Sequence, residues 1–374
     1  LLRKPLLLMG PRQVGKTTLA RSLDTSVAYY NYDVRSDREL FRSQNFDHSA
    51  GLWVFDELHK MKKWKLWLKG VIDAGLAKHR KLVVTGSARL DLLKKVGDSL
   101  AGRYFSARLH PLDLKELKGF GRTEVHYKKL LEVSGFPEPF FEGTSRFYNL
   151  WAKTHADVIL KEDLIGLEAV RDLDGIENLV DLLSEQVGST VSHSSLARTL
   201  QRSDKTITRW LEILEEMYLV FRVSPFSKNV VRGLRKAGKY YFYDTARVRG
   251  GEDRKLENLA ANALKKEIEG LEDFEGIPGS LAFVQDKEGR EIDFVVFQNR
   301  QPRWFFEVKL SDGAPSRNFP RFTEEFPKTQ RIQLVRNLER EYLSRDGVSV
   351  VSALDALEAL DLRDPGVSVL KRSS

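Results

Sequence analysis

The chain has no cysteine, which excludes disulfides, thiolate metal sites and a cysteine nucleophile. Long apolar runs are also missing. None approaches the ~18 residues of a membrane-spanning helix, and no secretory signal opens the sequence, so a cytoplasmic protein without a membrane partner is expected. A strong excess of one charge is absent too: 61 Lys and Arg face 53 Asp and Glu, a net charge of +8. That mild basicity permits a polyanionic partner such as DNA without requiring one. The first residue is Leu1 rather than Met, which leaves open whether natural N-terminal residues are missing. What is present is ordinary globular composition in 374 residues, too many for a single core, so two or three domains are expected.

The organising stretch is Gly10-Pro11-Arg12-Gln13-Val14-Gly15-Lys16-Thr17, which fits the phosphate-loop pattern G-x-x-x-x-G-K-[ST]. An uncharged apolar run, Leu6 to Met9, precedes it and reads as a buried strand. Thr18 to Leu23 reads as the opening of a helix. In that setting the glycines let the loop turn tightly and aim successive N–H groups at phosphate oxygens. Lys16 would reach the β- and γ-phosphates and the Thr17 hydroxyl would hold Mg²⁺. Residues 10–18 are therefore the expected ATP/ADP-binding segment, with Mg²⁺ as the companion ion.

A second apolar strand, Leu52 to Phe55, ends in Asp56-Glu57. A carboxylate pair at the end of a buried strand suits metal retention by Asp56 and polarisation of the attacking water by Glu57. Lys81 to Ser87 reads as a further buried strand ending in small polar residues; Thr85 or Ser87 is expected to sense the γ-phosphate, Ser87 being preferred. Trp64, Trp67 and Leu68 share one helical face, so the lysine-rich stretch around them reads as a helix covering the sheet rather than as a phosphate patch. Arg103 fits either a surface arginine or an arginine finger offered to a neighbouring subunit, which would require a homo-oligomer.

Taken together and in order, GPRQVGKTTL, WVFDELHK, VTGSARL, GDSLAGR and HPLDLKEL, with Gly135-Phe136-Pro137 beyond them, resemble the bacterial and archaeal AAA-type ATPases that carry a C-terminal domain long labelled as of unknown function. The resemblance implies an α/β P-loop core. It assigns nucleotide binding to Gly10, Gly15, Lys16 and Thr17, hydrolysis to Asp56 and Glu57, sensing to Ser87 and the finger role to Arg103. The departure at Leu58-His59 is expected to be without consequence.

The expected division is a P-loop ATPase domain over 1–120, a helical connector and winged helix-turn-helix over 121–250, and an α/β C-terminal domain over 251–374. In the middle part, Thr190–Leu200 and Lys205–Leu214 read as two helices with apolar faces, and Met217–Val223 and Lys239–Tyr243 as paired strands. Lys205, Thr206, Thr208 and Arg209 would face DNA, and the basic loop Lys228–Lys239 would follow phosphates. Further on, a helical Glu257, a strand Asp293 and an E-x-K strand at Glu307 and Lys309 resemble the PD-(D/E)xK nuclease fold. Alternation of strand side chains puts Glu307 and Lys309 on one face. Glu257, Asp293 and Glu307 would hold Mg²⁺ while Lys309 activates water. Two readings follow: an ATP-dependent DNA-processing enzyme, or a nucleotide-controlled switch that binds DNA or protein without cutting.

Overall fold

The computed structural model describes residues 4–76, 80–86, 100, 102–159, 172–226, 237–311, 313–324 and 326–363. The backbone divides into two compact units, one of residues 1–110 with 216–218 and one of 111–215 with 219–374.

The first unit alternates strands and helices: β1 (Leu6–Met9), α1 (Lys16–Ser22), β2 (Val27–Asn31), α2 (Arg35–Ser43), β3 (Leu52–Asp56), α3 (Trp64–Asp73), β4 (Lys81–Thr85) and β5 (Phe105–Arg108). The strands form one sheet in the order β2-β3-β4-β1-β5, and every pairing is parallel. Strand side chains alternate faces, so each strand feeds two cores. Leu6, Leu8, Leu52, Val54 and Val83 pack with Ala20 of α1 on one side. Leu7, Met9, Trp53, Phe55 and Val84 pack on the other with Phe41 of α2 and Trp64 and Leu68 of α3. Trp67 also lies against that second core, so the aromatic face of α3 serves packing, as its spacing suggested. A sheet buried on both faces explains why its strands read as unbroken apolar runs.

The second unit opens with α4 (Thr123–Glu132), α5 (Pro137–Glu142), α6 (Ser145–Asp157) and α7 (Leu173–Glu185). Next come β6 (Thr190–Val191), α8 (His193–Thr199), α9 (Asp204–Glu216), β7 (Val220–Pro225) and β8 (Gly238–Phe242). The remainder is α10 (Glu252–Glu275), β9 (Gly279–Gln285), β10 (Glu291–Gln298), β11 (Gln301–Lys309), α11 (Phe319–Thr323), β12 (Gln330–Val335), β13 (Tyr342–Leu343), β14 (Val348–Ser352) and α12 (Ala353–Glu358). Strands β6 to β14 make one nine-stranded sheet, ordered β13-β14-β12-β11-β10-β9-β7-β8-β6.

That sheet runs across the division expected at residue 250. β7 pairs with β9 in parallel at Ser224↔Ala282 and Pro225↔Phe283. The hairpin β7–β8 is therefore hydrogen-bonded into the same sheet as β9 to β12, and the compact units part at 110/111 rather than at 120/121. Among the described residues no helix is long and apolar enough to cross a membrane.

Candidate functional sites

In the first unit, β1 leads into the glycine loop and α1 begins at Lys16, capped by Gly15 at φ 97°. Gly10 has φ 141°, and a Cβ there would stand 2.2 Å from the Leu109 carbonyl oxygen. No side chain fits, so this glycine is fixed by a close backbone approach as well as by its dihedral. Pro11 and Val14 are buried, whereas Gln13 and Thr18 are exposed. The Lys16 ammonium folds back on the loop and donates to the carbonyls of Gly10 (3.0 Å) and Pro11 (2.5 Å). These are the contacts it would exchange for phosphate oxygens.

Asp56 collects donors from three neighbouring segments. The Thr17 hydroxyl donates to Oδ2 at 2.8 Å and the Tyr29 hydroxyl donates to the same oxygen at 2.7 Å. The buried Thr85 hydroxyl donates to Oδ1, which also accepts the Glu57 N–H at 3.0 Å. The strand order makes this possible, because β4 lies between β1 and β3 and ends in Thr85. Of the two candidates for the sensing position, Thr85 thus touches the carboxylate, while Ser87 lies outside the described residues. Tyr29 was not anticipated. Its hydroxyl sits on β2, the outer neighbour of β3, with the Arg21 guanidinium 4.0 Å from its ring centre. Burial and the Asp56 carboxylate both push the Tyr29 pKa up, so it remains a donor.

Glu57 follows with a left-handed backbone, φ 52°. Its Oε2 lies 3.5 Å from the Lys60 ammonium and 3.5 Å from His59 Nε2. Lys60 also pairs with Asp33 at 2.5 Å. Burial raises the Glu57 pKa against the opposing pull of Lys60. His59, expected to be inconsequential, is therefore a direct neighbour of the carboxylate assigned to water. Thr17 and Asp56 suit Mg²⁺: a hydroxyl and a carboxylate oxygen already in contact at the mouth of a phosphate loop are hard oxygen donors.

Arg103 pairs with Asp73 at 3.0 Å, both side chains partly exposed. The register Leu6↔Phe105 and Met9↔Arg108 puts Arg103 just before the start of β5, beside the start of β1; the Lys4 ammonium donates to the adjacent Gly102 carbonyl at 2.8 Å. The phosphate loop follows the other end of β1. A finger role for Arg103 toward its own loop is thus excluded by topology.

In the second unit a cluster forms where β8, β10, β11 and α10 meet. The antiparallel register Phe294↔Phe306 sets Asp293 across from Glu307, and Asp293 Oδ2 accepts the Val308 N–H at 2.8 Å. Glu257 of α10 packs over Gly188 (φ +81°), where a Cβ would lie 2.5 Å from Glu257 Oε2. Lys309 pairs with Glu307 Oε1 at 2.9 Å, and the Ser316 hydroxyl donates to the same oxygen at 3.2 Å.

At the centre of this cluster stands a residue expected elsewhere. Lys239 was assigned to the phosphate-following loop, but its side chain is 1% exposed. Its ammonium lies 2.5 Å from Glu291, 3.3 Å from Glu257 and 3.9 Å from Asp293. The Tyr241 hydroxyl, two residues along the same strand face, donates to Glu257 at 2.7 Å. Burial alone would lower the Lys239 pKa, but the three carboxylates outweigh it and hold the group charged. Burial and the neighbouring Glu257 and Glu307 charges push Asp293 well above the usual carboxylate range. Among the described residues no group of three or more carboxylates or histidines is arranged to hold a metal. The expected Mg²⁺ does not fit Glu257, Asp293 and Glu307 as they stand, because an ammonium already lies against Glu257 and Asp293. Residues 228–236 of the expected loop lie outside the described residues.

On the helix–turn–helix, Lys205 and Arg209 are exposed, and Arg209 lies 3.4 Å from Glu212. Thr206 takes part in the turn through Ser203 at 2.8 Å. Thr208 bonds His193 Nδ1 at 3.1 Å, so it faces the neighbouring helix.

A family model described as an AAA domain matches residues 2–118, and one described as a domain of unknown function matches 124–249. The uncharacterised protein Rv2008c of Mycobacterium tuberculosis is 26% identical over 320 residues, spanning 83% of this chain and 71% of that protein. An uncharacterised protein of Haemophilus influenzae is 22% identical over 329 residues, 82% of this chain and 77% of its own. The solved structure of Aeropyrum pernix Orc1 in complex with DNA overlaps 69% of this chain and 87% of that one at 13% identity and a TM-score of 0.31, too loosely to bear on fold or ligand. The matched segment, the parallel five-stranded sheet and the glycine loop at the end of β1 agree: the N-terminal part of this chain is a P-loop AAA-like α/β domain.

Proposed function

We propose that the protein binds and hydrolyses Mg-ATP in its first unit. The observation that carries this is the convergence of Thr17, Tyr29, Thr85 and the Glu57 N–H on the Asp56 carboxylate beside the phosphate loop. Four donors on one carboxylate fix its orientation before any ligand arrives, which is the preorganisation a metal and water site needs. Mg²⁺, when bound, would be held by Thr17 and Asp56 and would offset the phosphate charge. Lys16 would swing from the Gly10 and Pro11 carbonyls to the phosphates. Glu57, close behind Asp56, would orient the attacking water and take its proton. Arg103, facing away from its own loop, would act on a second copy. Turnover measured with Mg-ATP, alone and with single-stranded, duplex and branched DNA, tests this reading; no hydrolysis under any of these conditions would contradict it.

We further propose that the second unit combines a winged helix-turn-helix within residues 121–250 with a nuclease-like part over 251–374, the two sharing one sheet. The order α8–turn–α9–β7–β8 with β6 on the hairpin supports the first, and the placement of Glu257, Asp293, Glu307 and Lys309 about β10 and β11 supports the second. DNA is the proposed partner, through Lys205, Arg209 and the basic loop. Between the cutting and non-cutting readings, the buried Lys239 ammonium favours a nucleotide-controlled module that holds DNA without cleaving it.

A further inference from the structure

We infer that Lys239 is an internal counter-ion standing where a PD-(D/E)xK nuclease holds its divalent cation, so that the C-terminal acidic cluster binds no metal and catalyses no metal-dependent cleavage. This rests on the nuclease-like reading of residues 251–374. Divalent ions are held by carboxylate oxygens about 2.0–2.6 Å away. Here the carboxylates of Glu257, Glu291 and Asp293 instead surround a nitrogen at 3.3, 2.5 and 3.9 Å. The ammonium is sealed from water at 1% exposure, with the Phe283 ring centre 5.5 Å away. Its backbone is held in the sheet, with Lys239 opposite Val223 in the β7–β8 ladder.

Four largely buried carboxylates, Glu257, Glu291, Asp293 and Glu307, nevertheless gather here. Glu307 is buried and aimed at the cluster from across Asp293, and its Oε2 lacks a hydrogen-bond partner. The lysine comes from the hairpin strand β8, and β7–β9 pairing carries it into the sheet of β10 and β11. Neither the E-x-K strand nor its neighbours supply it.

The test is Mn²⁺ binding to the nucleotide-free full chain, read by electron paramagnetic resonance, for wild type, Asp293→Asn, Lys239→Met and the double variant. Any ion held at the phosphate loop is common to all four and cancels. The expected result is equal binding in wild type, Asp293→Asn and the double variant, with one extra ion per chain in Lys239→Met. Its melting temperature should then rise more with Mn²⁺ than that of wild type does. An Asp293-dependent ion in wild type overturns the inference and leaves the nuclease-like reading standing. No extra ion in a folded Lys239→Met protein overturns both. Should Lys239→Met not fold, the comparison of wild type with Asp293→Asn still decides: equal binding supports the inference and unequal binding overturns it.

Discussion

Replacing Thr85 by valine removes one hydroxyl from the Asp56 carboxylate in the proposed ATP site. Thr85 is fully buried at the end of β4 and donates to Asp56 Oδ1. Valine keeps the branched shape and suits a strand, so the change removes the hydrogen bond with little repacking. A hydrogen bond to a charged group contributes about 1.5–3 kcal/mol. If Asp56 orientation is what the bond secures, that energy is lost from the hydrolytic transition state, and with ~1.4 kcal/mol per factor of ten kcat should fall roughly 10- to 150-fold. Thr17, Tyr29 and the Glu57 N–H still hold the carboxylate, so ATP affinity should change little. The assay is steady-state Mg-ATP turnover beside a fluorescent-nucleotide titration and a urea melt. A variant whose kcat stays within about twofold of wild type while its stability falls would refute the reasoning, because Thr85 would then be only a buried structural group.

Glu57→Gln should bind ATP as wild type does and lose most of its turnover, since the amide cannot take a proton; undiminished hydrolysis removes Glu57 from the mechanism. Arg103→Ala should lose turnover, and mixing it with Lys16→Ala protein should restore part of it, because one copy supplies the finger and the other the loop; mixing that restores nothing argues against a role in trans. Burial, then the Arg222 charge, lower the His193 pKa. The unfolded chain therefore binds the proton more readily, and stability from this residue is complete above about pH 6.5 and lost as pH falls below it. Urea midpoints at pH 7.5 and 5.5 should differ more for wild type than for His193→Gln. Removing Lys239 leaves its carboxylates unbalanced, so Lys239→Met without divalent ions should be about 3–5 kcal/mol less stable than wild type, a difference a urea melt resolves.

The glycine loop between β1 and α1 and the Asp56–Glu57 pair at the end of β3 were legible because each is made of residues adjacent in sequence, and because a doubly covered parallel sheet leaves a clear apolar signature. Strand order was not legible from any one segment. It decides that β4 delivers Thr85 and β2 delivers Tyr29 to Asp56, while the parallel pairing of β5 with β1 leaves Arg103 at the opposite end of β1 from its own loop. In the C-terminal part, alternation correctly put Glu307 and Lys309 on one strand with Asp293 opposite. Lys239 escaped notice because it enters through the parallel pairing of β7 with β9, a contact between strands far apart in sequence. The local hint was a lysine two residues before Tyr241 in an otherwise aromatic strand, but such a lysine reads equally well as the end of a basic loop. Gly188 gave no hint either, since its requirement arises from Glu257 on a distant helix.

The central claim is that residues 10–17 grip a triphosphate with Asp56 managing its metal. Calorimetric titration of ATP into the full chain with Mg²⁺, for wild type and Lys16→Ala, tests it most directly. The Lys16 ammonium would trade its two carbonyl contacts for phosphate oxygens. At about 1.5–3 kcal/mol for each charge-assisted bond, the account predicts one site per chain in wild type and affinity at least roughly 100-fold weaker in the variant. Wild-type protein that takes up no ATP, or Lys16→Ala protein that binds it equally well, would contradict the account.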